Sequence, residues 1–444
     1  MDVASVERFE TALTRELRPP ISRSDAVIEA DRCLGCGGPY ALAPCTEACP
    51  ADVDVQAFVS AIAEDDPSRA AATIFAENLL GGTCARVCPV EVLCEGACVL
   101  RHEGRRPIEI ARLQRFATDV ALADPATRLR DVARRAGRRI VVVGAGPAGM
   151  VCAGELAARG HDVTVYDEHD EVGGLVRYAI APYREQRDPL PAEAALLESM
   201  GVAFRLGVSA GSVEAQEAIA GADAVFLAVG LGPDVDVRYP GDDLPGVWSS
   251  LPFIEALKTG KPPRVGNDVV VVGGGNTAVD AACEAVRLGA GCVTLVYRRT
   301  RAEMPAYPHE VAEAEAEGVR FAWLTDPVRM LGTHRVEAVE CRLMKLGDAD
   351  ESGRRRPEPV PDSEFELRAD TVIKAIGQRA RTTLADWIPG LVFHGARLDV
   401  DPDTGQTSNP RFFAGGDVAN GGASVVAAVR EGKRAADAID RWLA

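Results

Sequence analysis

The chain has 444 residues, 47% of them hydrophobic and 26% charged, which is room for about three compact domains. Its net charge of -17 repels nucleic acid and anionic membrane surfaces alike, so neither is expected as the main partner. No basic start runs into an apolar core, and no apolar run approaches the ~20 residues that cross a bilayer, which leaves a cytoplasmic protein as the expectation.

Eight of the twelve cysteines fall between Cys33 and Cys98, while Cys152, Cys283, Cys292 and Cys341 are scattered singly. Thiols bunched in this way point to metal in a reducing compartment rather than to a secreted disulfide framework. Cys33, Cys36, Cys45 and Cys49 follow the spacing C-x2-C-x8-C-x3-C-P; Cys84 and Cys88 then form C-x3-C-P ahead of a second C-x3-C, Cys94 and Cys98. Short spacings of this kind let thiolates wrap the corners of iron-sulfur cubanes while nearby N–H groups point at the sulfurs. Structural zinc is the competing use, but it favours repeated C-x2-C knuckles, and one such pair is present. Between the cysteine loops, residues 55–63 and 67–80 read as helices, and no strand-glycine-helix unit precedes residue 135. Residues 1–135 are expected to form a small α-helical domain.

Arg128, Arg130, Arg134, Arg135, Arg138 and Arg139 lead into the apolar strand at 140–143 and read as a helical linker with a solvated face, partner docking being the sharper alternative. The strand ends in G-x-G-x-x-G, Gly144, Gly146 and Gly149, with Pro147 and Ala148 opening an alanine-rich helix. Glycines there let the backbone approach a pyrophosphate whose charge sits at the helix N-terminus. About 20 residues on, the second strand ends in Asp167 and Glu168, where a carboxylate would hold a ribose. Two further segments point to FAD as the ligand: Gly173-Gly174-Leu175 close behind the acids, and Phe413 to Asp417 before a helix starting at Ser424, in which Gly416 and Asp417 resemble the second FAD-contacting segment of two-dinucleotide flavoproteins.

The same unit recurs from Val269, with Gly273, Gly275, Asn276, Thr277 and Ala278 as its turn. At the end of its second strand, Arg298-Arg299 stand where the first unit has Asp167. A carboxylate repels a 2′-phosphate and guanidinium groups bind it, so NADPH is expected over NADH. Residues 332–368 read as β-strands around a solvated charged loop at 348–356, with no chemistry attached.

Cys84 to Pro89, Leu113 to Phe116, the first glycine turn, Arg298-Arg299 and Phe413 to Asp417 together resemble the glutamate synthase small-subunit family, over almost the whole chain from Arg32. The run from Cys84 to Phe116 is most similar to the small subunit of bacterial NAD-dependent dihydropyrimidine dehydrogenase. The resemblance implies an α-helical double iron-sulfur cluster domain followed by α/β two-dinucleotide-binding (Rossmann-like) domains: 136–252 and 378–444 for FAD, with an NAD(P)H domain, 253–377, inserted between them. It also implies two cross-wired 4Fe-4S clusters, one on Cys33, Cys36, Cys45 and Cys98, the other on Cys49, Cys88, Cys94 and Gln114, with Cys84 outside both. FAD contacts from Val87 and Arg184, and NADP contacts from Asn276, Thr277, Ala375, Ile376 and Gly377, follow on the same grounds. Three departures stand out. The gap between Cys36 and Cys45 is longer than the family's, so residues 37–44 are expected to bulge outward. Ala179 and Ala181 replace the family's usual glycine and proline. The dihydropyrimidine relative uses NADH, against the sense of Arg298-Arg299.

The expected function is electron input: NAD(P)H gives hydride to FAD, and single electrons leave through the clusters to a catalytic oxidoreductase subunit or a ferredoxin-like acceptor. The six histidines are dispersed and no acid-base pair is called for. A stand-alone disulfide or ferredoxin reductase is the alternative, but a disulfide reductase needs a C-x-x-C beside the flavin, and none follows Cys36. A cofactor-free scaffold is disfavoured by intact glycine turns in both units.

Overall fold

The computed structural model describes residues 16–38, 40–128, 130–133, 137–186, 188–349 and 353–444. Arg134 and Arg135 of the arginine stretch, Pro39 of the segment after Cys36, and residues 350–352 of the charged loop lie outside the described residues. Contacts divide the chain into two bodies, one of residues 17–177, 187–231 and 380–444, the other built mainly of 178–186 and 232–379.

The first body opens with helices whose starts are written in their caps. Ser22 accepts a hydrogen bond from Asp25 N at the head of α1 (Arg23–Asp31), and Asp54 from Ala57 N at the head of α2 (Val55–Ala63). Asp66 caps α3 (Pro67–Glu77), with Pro67 in the first turn, where its missing N–H costs nothing. Then come the short α4 (Gly81–Val87) and the longer α5 (Ile110–Leu122). Their apolar faces meet: Phe58, Ile62, Ile74 and Leu113 are fully buried. The arginine stretch does not continue this pattern. Residues 130–133 and 137–138 have no helical structure, because Arg130 turns inward to Glu155 at 2.7 Å and to the Ala76 carbonyl, and Ala133 N donates to Ala158 O. The described residues of the linker are therefore not helical, contrary to the expectation.

Beyond it, β1 (Arg139–Val143), α6 (Pro147–Ala158) and β2 (Asp162–Tyr166) make a crossover unit, followed by α7 (Leu190–Ser199), β3 (Ala203–Arg205) and β4 (Ala224–Leu227). With the late strand Phe412–Ala414 they form a parallel sheet in which β1 lies between β2 and β4. The chain winds away from β1 in both directions, so the crevice at its carboxyl end is the topological switch point where such sheets bind ligands. The C-terminal helix Val425–Leu443 lies against α6; a Cβ at Gly432 would come within 2.5 Å of Ala148 O, so only glycine permits this approach. Lys433 on the same helix reaches the Ala51 carbonyl at 2.9 Å and Glu77 at 2.7 Å. The cysteine-bearing helices and this sheet thus pack as one body.

The second body repeats the plan. Its parallel sheet runs β5 (Val247–Ser249), β12 (Thr371–Ala375), β6 (Asp268–Gly273), β7 (Cys292–Tyr297) and β8 (Arg320–Trp323) in space, with α8 (Asn276–Arg287) crossing from β6 to β7 and α9 (Pro308–Ala316) following. It begins earlier in the chain than residue 253, since β5 already pairs with β12. β9 (Thr325–Leu331), β10 (Ala338–Ala349) and β11 (Arg355–Arg368) form an antiparallel sheet, and Met330, Val339 and Cys341 join Val270, Val272 and Val296 in one core. Among the described residues, no helix is long and apolar enough to cross a membrane.

Candidate functional site

Cys33, Cys36, Cys45 and Cys98 line one pocket with an apolar wall that includes Val55, Val59, Leu100 and Ile108. Residues 37–44 do not spoil this convergence. Gly37 takes φ +96°, its missing Cβ would meet Ala43 N at 2.9 Å, and Gly38 N donates to Ala41 O, so the extra residues fold back on themselves. Tyr40 at the tip is 99% exposed and Leu42 69%, while the one-turn helix Pro44–Glu47 returns Cys45 to the pocket. Burial and the neighbouring Cys33 push the Cys45 thiol up to about 11, and burial raises Cys33 as well.

Cys49, Cys88 and Cys94 gather in a second group. The Cys88 thiol is raised by its hydrogen bond with Cys84 and then by burial; Cys94 and Cys49 are raised chiefly by burial, and Cys49 and Cys94 both act on the Cys88 thiol. Cys84 is buried beside them. Gln114, on α5, donates its side-chain N–H to the Gly81 carbonyl at 2.7 Å, and Glu95, next to Cys94, accepts from Ala111 N at 3.0 Å, three residues before Gln114. Val87 closes α4 just ahead of Cys88. No three His, Cys, Asp or Glu side chains among the described residues form a group that could hold a single metal ion.

At the end of β1, Gly144 takes φ +107° and approaches so closely that a Cβ would lie 2.3 Å from Ala228 O, while Gly149 faces the Gly144 carbonyl at 1.9 Å from where its Cβ would be. Gly146, by contrast, has open space where a side chain would project, just ahead of Pro147 and Ala148 in the first turn of α6. Gly174 comes within 3.1 Å of Gly146 by the same measure, with Leu175 opening the next helical turn, and Gly416 within 3.1 Å of Ala148. Three stretches far apart in sequence therefore meet at one cradle. Asp167 is tied into it, accepting from Ala145 N at 2.7 Å; Glu168 turns away to Arg381 at 2.9 Å. Asp417 is raised by burial, offset in part by Ala423 N. Ser424 spends its hydroxyl capping the last helix through Ala427 N. Glu431 carries no motif signal, yet it is buried and holds the C-terminal segment by accepting from Gly416 N at 2.6 Å and from Asn420.

The second body has a matching turn. A Cβ on Gly273 would sit 2.2 Å from Ala375 O, and Gly275 looks into open space ahead of Asn276 and Thr277. Asn276 accepts from Tyr307 N at 3.0 Å. Ala375 ends β12 opposite Gly273, leading to Ile376 and to Gly377, which takes φ +104° with nothing near its missing Cβ. The arginine pair divides: Arg298 is exposed, whereas Arg299 is 6% exposed and donates Nε to the Arg355 carbonyl at 2.8 Å. Arg299 is thus buried, with its Nε on the carbonyl at the start of β11. Arg184 belongs to this body, where its guanidinium is held by Asp280 at 2.8 Å and Glu310 at 3.0 Å.

Residues 138–432 match the pyridine nucleotide-disulphide oxidoreductase family, and residues 10–125 match dihydropyrimidine dehydrogenase domain II, 4Fe-4S cluster. The glutamate synthase [NADPH] small chain of Halomonas elongata is 36% identical over 448 residues, covering 96% of this chain and 93% of that one. The chain belongs to the glutamate synthase small-chain family. The NADP(+)-dependent formate dehydrogenase subunit beta of Moorella thermoacetica is 38% identical, and this chain spans 60% of its length. In fold, the thioredoxin reductase of Lactococcus lactis aligns with 69% of the chain at a TM-score of 0.54 and 20% identity. This member of the glutamate synthase small-chain family therefore joins a 4Fe-4S domain to a pyridine nucleotide-disulphide oxidoreductase domain, and the two together imply FAD, NADP and an iron-sulfur cluster.

Proposed function

We propose that the chain is an electron-input subunit that oxidises NADPH and delivers single electrons to a catalytic oxidoreductase partner through two 4Fe-4S clusters. The observation that carries this is the pocket shared by Cys33, Cys36, Cys45 and Cys98, which joins three thiols of the first cysteine group to one of the second. It supports the cross-wired ligand set, and leaves Cys49, Cys88, Cys94 and Gln114 for the other cluster. Gly144, Gly146, Gly149, Gly174 and Gly416 would let the backbone come close to the FAD pyrophosphate, whose charge would sit at the α6 N-terminus. Asp167 is the candidate for its ribose and Asp417 for its ribityl chain. Gly273, Gly275, Asn276 and Thr277 would hold NADPH, with Arg298 on the 2′-phosphate. When bound, the flavin supplies the conversion of a two-electron hydride into single electrons. The residues of the chain place, neutralise and shield these groups, and no side-chain acid or base is assigned. Thiol ligands kept free of disulfides fit a cytoplasmic setting.

The test is anaerobic reconstitution of the full chain. About eight irons and one FAD per chain are expected, with NADPH-driven reduction of ferricyanide and no conversion of glutamine with 2-oxoglutarate, or of uracil or thymine. Zinc in place of iron, or turnover of any of those substrates by the isolated chain, would contradict the proposal.

A further inference from the structure

Glu193 is fully buried, with 0% exposure, on α7 of the flavin-side sheet, yet its partners lie more than a hundred residues earlier, at the start of α4. One carboxylate oxygen accepts from Gly82 N at 2.8 Å and Thr83 N at 3.1 Å, the other from the Thr83 hydroxyl at 2.6 Å. α4 needs this help. It has seven residues, begins with two glycines, and its N-cap, Leu80, has no side-chain hydrogen bond to give. A helix so short and glycine-rich is not held by its own propensity.

The first turn of α4 is also where Gln114, a proposed cluster ligand, is held. The Gly81 carbonyl takes the hydrogen bond from Gln114, the Gly82 carbonyl takes one from Arg86 at 2.9 Å, and Arg86 reaches on to Asp119 of α5 at 2.7 Å. From that turn the helix runs to Cys88, whose N–H bonds the Cys84 carbonyl. Residues 81–83 are thus gripped from the cluster side by Gln114 and Arg86 and from the flavin side by Glu193. A leucine at 193 would fill the space without burying a charge, but would leave two amides and a hydroxyl without an acceptor. Burial keeps the Glu193 carboxyl up at about 7 despite these donors.

We propose that Glu193 is a positioning residue for the iron ligands Cys88 and Gln114, acting through the first turn of α4. This rests on the electron-input function above. In the anaerobically reconstituted full chain, Glu193→Ala should speed amide hydrogen exchange across residues 81–88 about tenfold or more. It should also shift or abolish the EPR signal of one cluster while FAD content and the signal of the other stay as in the parent. Glu193→Gln keeps an acceptor oxygen for the two amides and should restore both readouts. If Glu193→Ala does not fold, Thr83→Val removes the 2.6 Å bond alone and should change both in the same direction by less. Parental exchange and parental EPR in a folded Glu193→Ala chain would overturn the assignment. A parent chain that takes up no cluster would instead defeat the proposed function, and exchange across 81–88 would still decide the role of Glu193.

Discussion

Arg298 and Arg299 are adjacent in sequence and opposite in fate. Arg298 is exposed at the end of β7 and Arg299 is spent on the Arg355 carbonyl, so the two should fail differently when replaced. Arg298→Asp is expected to raise KM for NADPH about tenfold or more and leave that for NADH unchanged, because a charge-assisted phosphate contact is worth about 1.5–3 kcal/mol. Arg299→Ala should instead lower Tm, with nucleotide preference little changed; steady-state kinetics with both nucleotides and a melting curve separate the two. A second residue makes a pH-dependent case. Glu284 on α8 is buried, accepts from Tyr183 N at 3.2 Å, and is pushed up to about 7, first by burial. Its folded form binds a proton more tightly than the unfolded chain, so its cost is absent below about pH 4.5 and fully present above about 7. Glu284→Gln should therefore raise Tm at pH 8 and change it little at pH 5, as thermal melts at the two pH values would reveal.

At the scale of elements, the loop after Cys36 is long, yet Cys45 beyond it lines the same pocket as Cys33. The turn at Gly37 and the Gly38–Ala41 hydrogen bond close the loop on itself. The same loop exposes Tyr40 and Leu42 to solvent. Shortening the loop to four residues should weaken transfer to the natural partner several-fold, with ferricyanide reduction by NADPH nearly unchanged. Equal losses in the two assays would mean that the loop serves the pocket and not a partner. The arginine stretch carries a related lesson. Its charges looked like a solvated helical face, but Arg130 pairs with Glu155, a carboxylate that is itself buried and 25 residues away.

For the molecule as a whole, the helical region and the first sheet share one body, joined by Glu193, Lys433 and Arg130, while the second sheet forms its own. The clustered cysteines and the two glycine turns are different residues, so their proposed roles should be separable by mutation. Cys94→Ser should bring iron down from about eight to about four per chain, yet NADPH should still bleach the flavin, since no residue of either glycine turn is touched. Iron analysis beside anaerobic absorbance spectra checks this, and loss of flavin bleaching in a folded, FAD-replete variant would count against it.

Both glycine turns, the helices expected at 55–63 and 67–80 (the second ending at Glu77), the strands expected within 332–368 and the clustered thiols were legible in the sequence because each depends on local rules: strand and helix periodicity, capping, and the absence of a Cβ where backbones must approach. What only the tertiary structure decided depends on partners far apart in the chain. The inward turn of Arg299, the capture of Glu168 by Arg381, the burial of Glu193 and Glu431, and the start of the second sheet at β5 leave no periodic trace. A side chain's fate there is set by which acceptor or donor the fold brings within about 3 Å, and burial makes an unmet hydrogen bond too costly to leave.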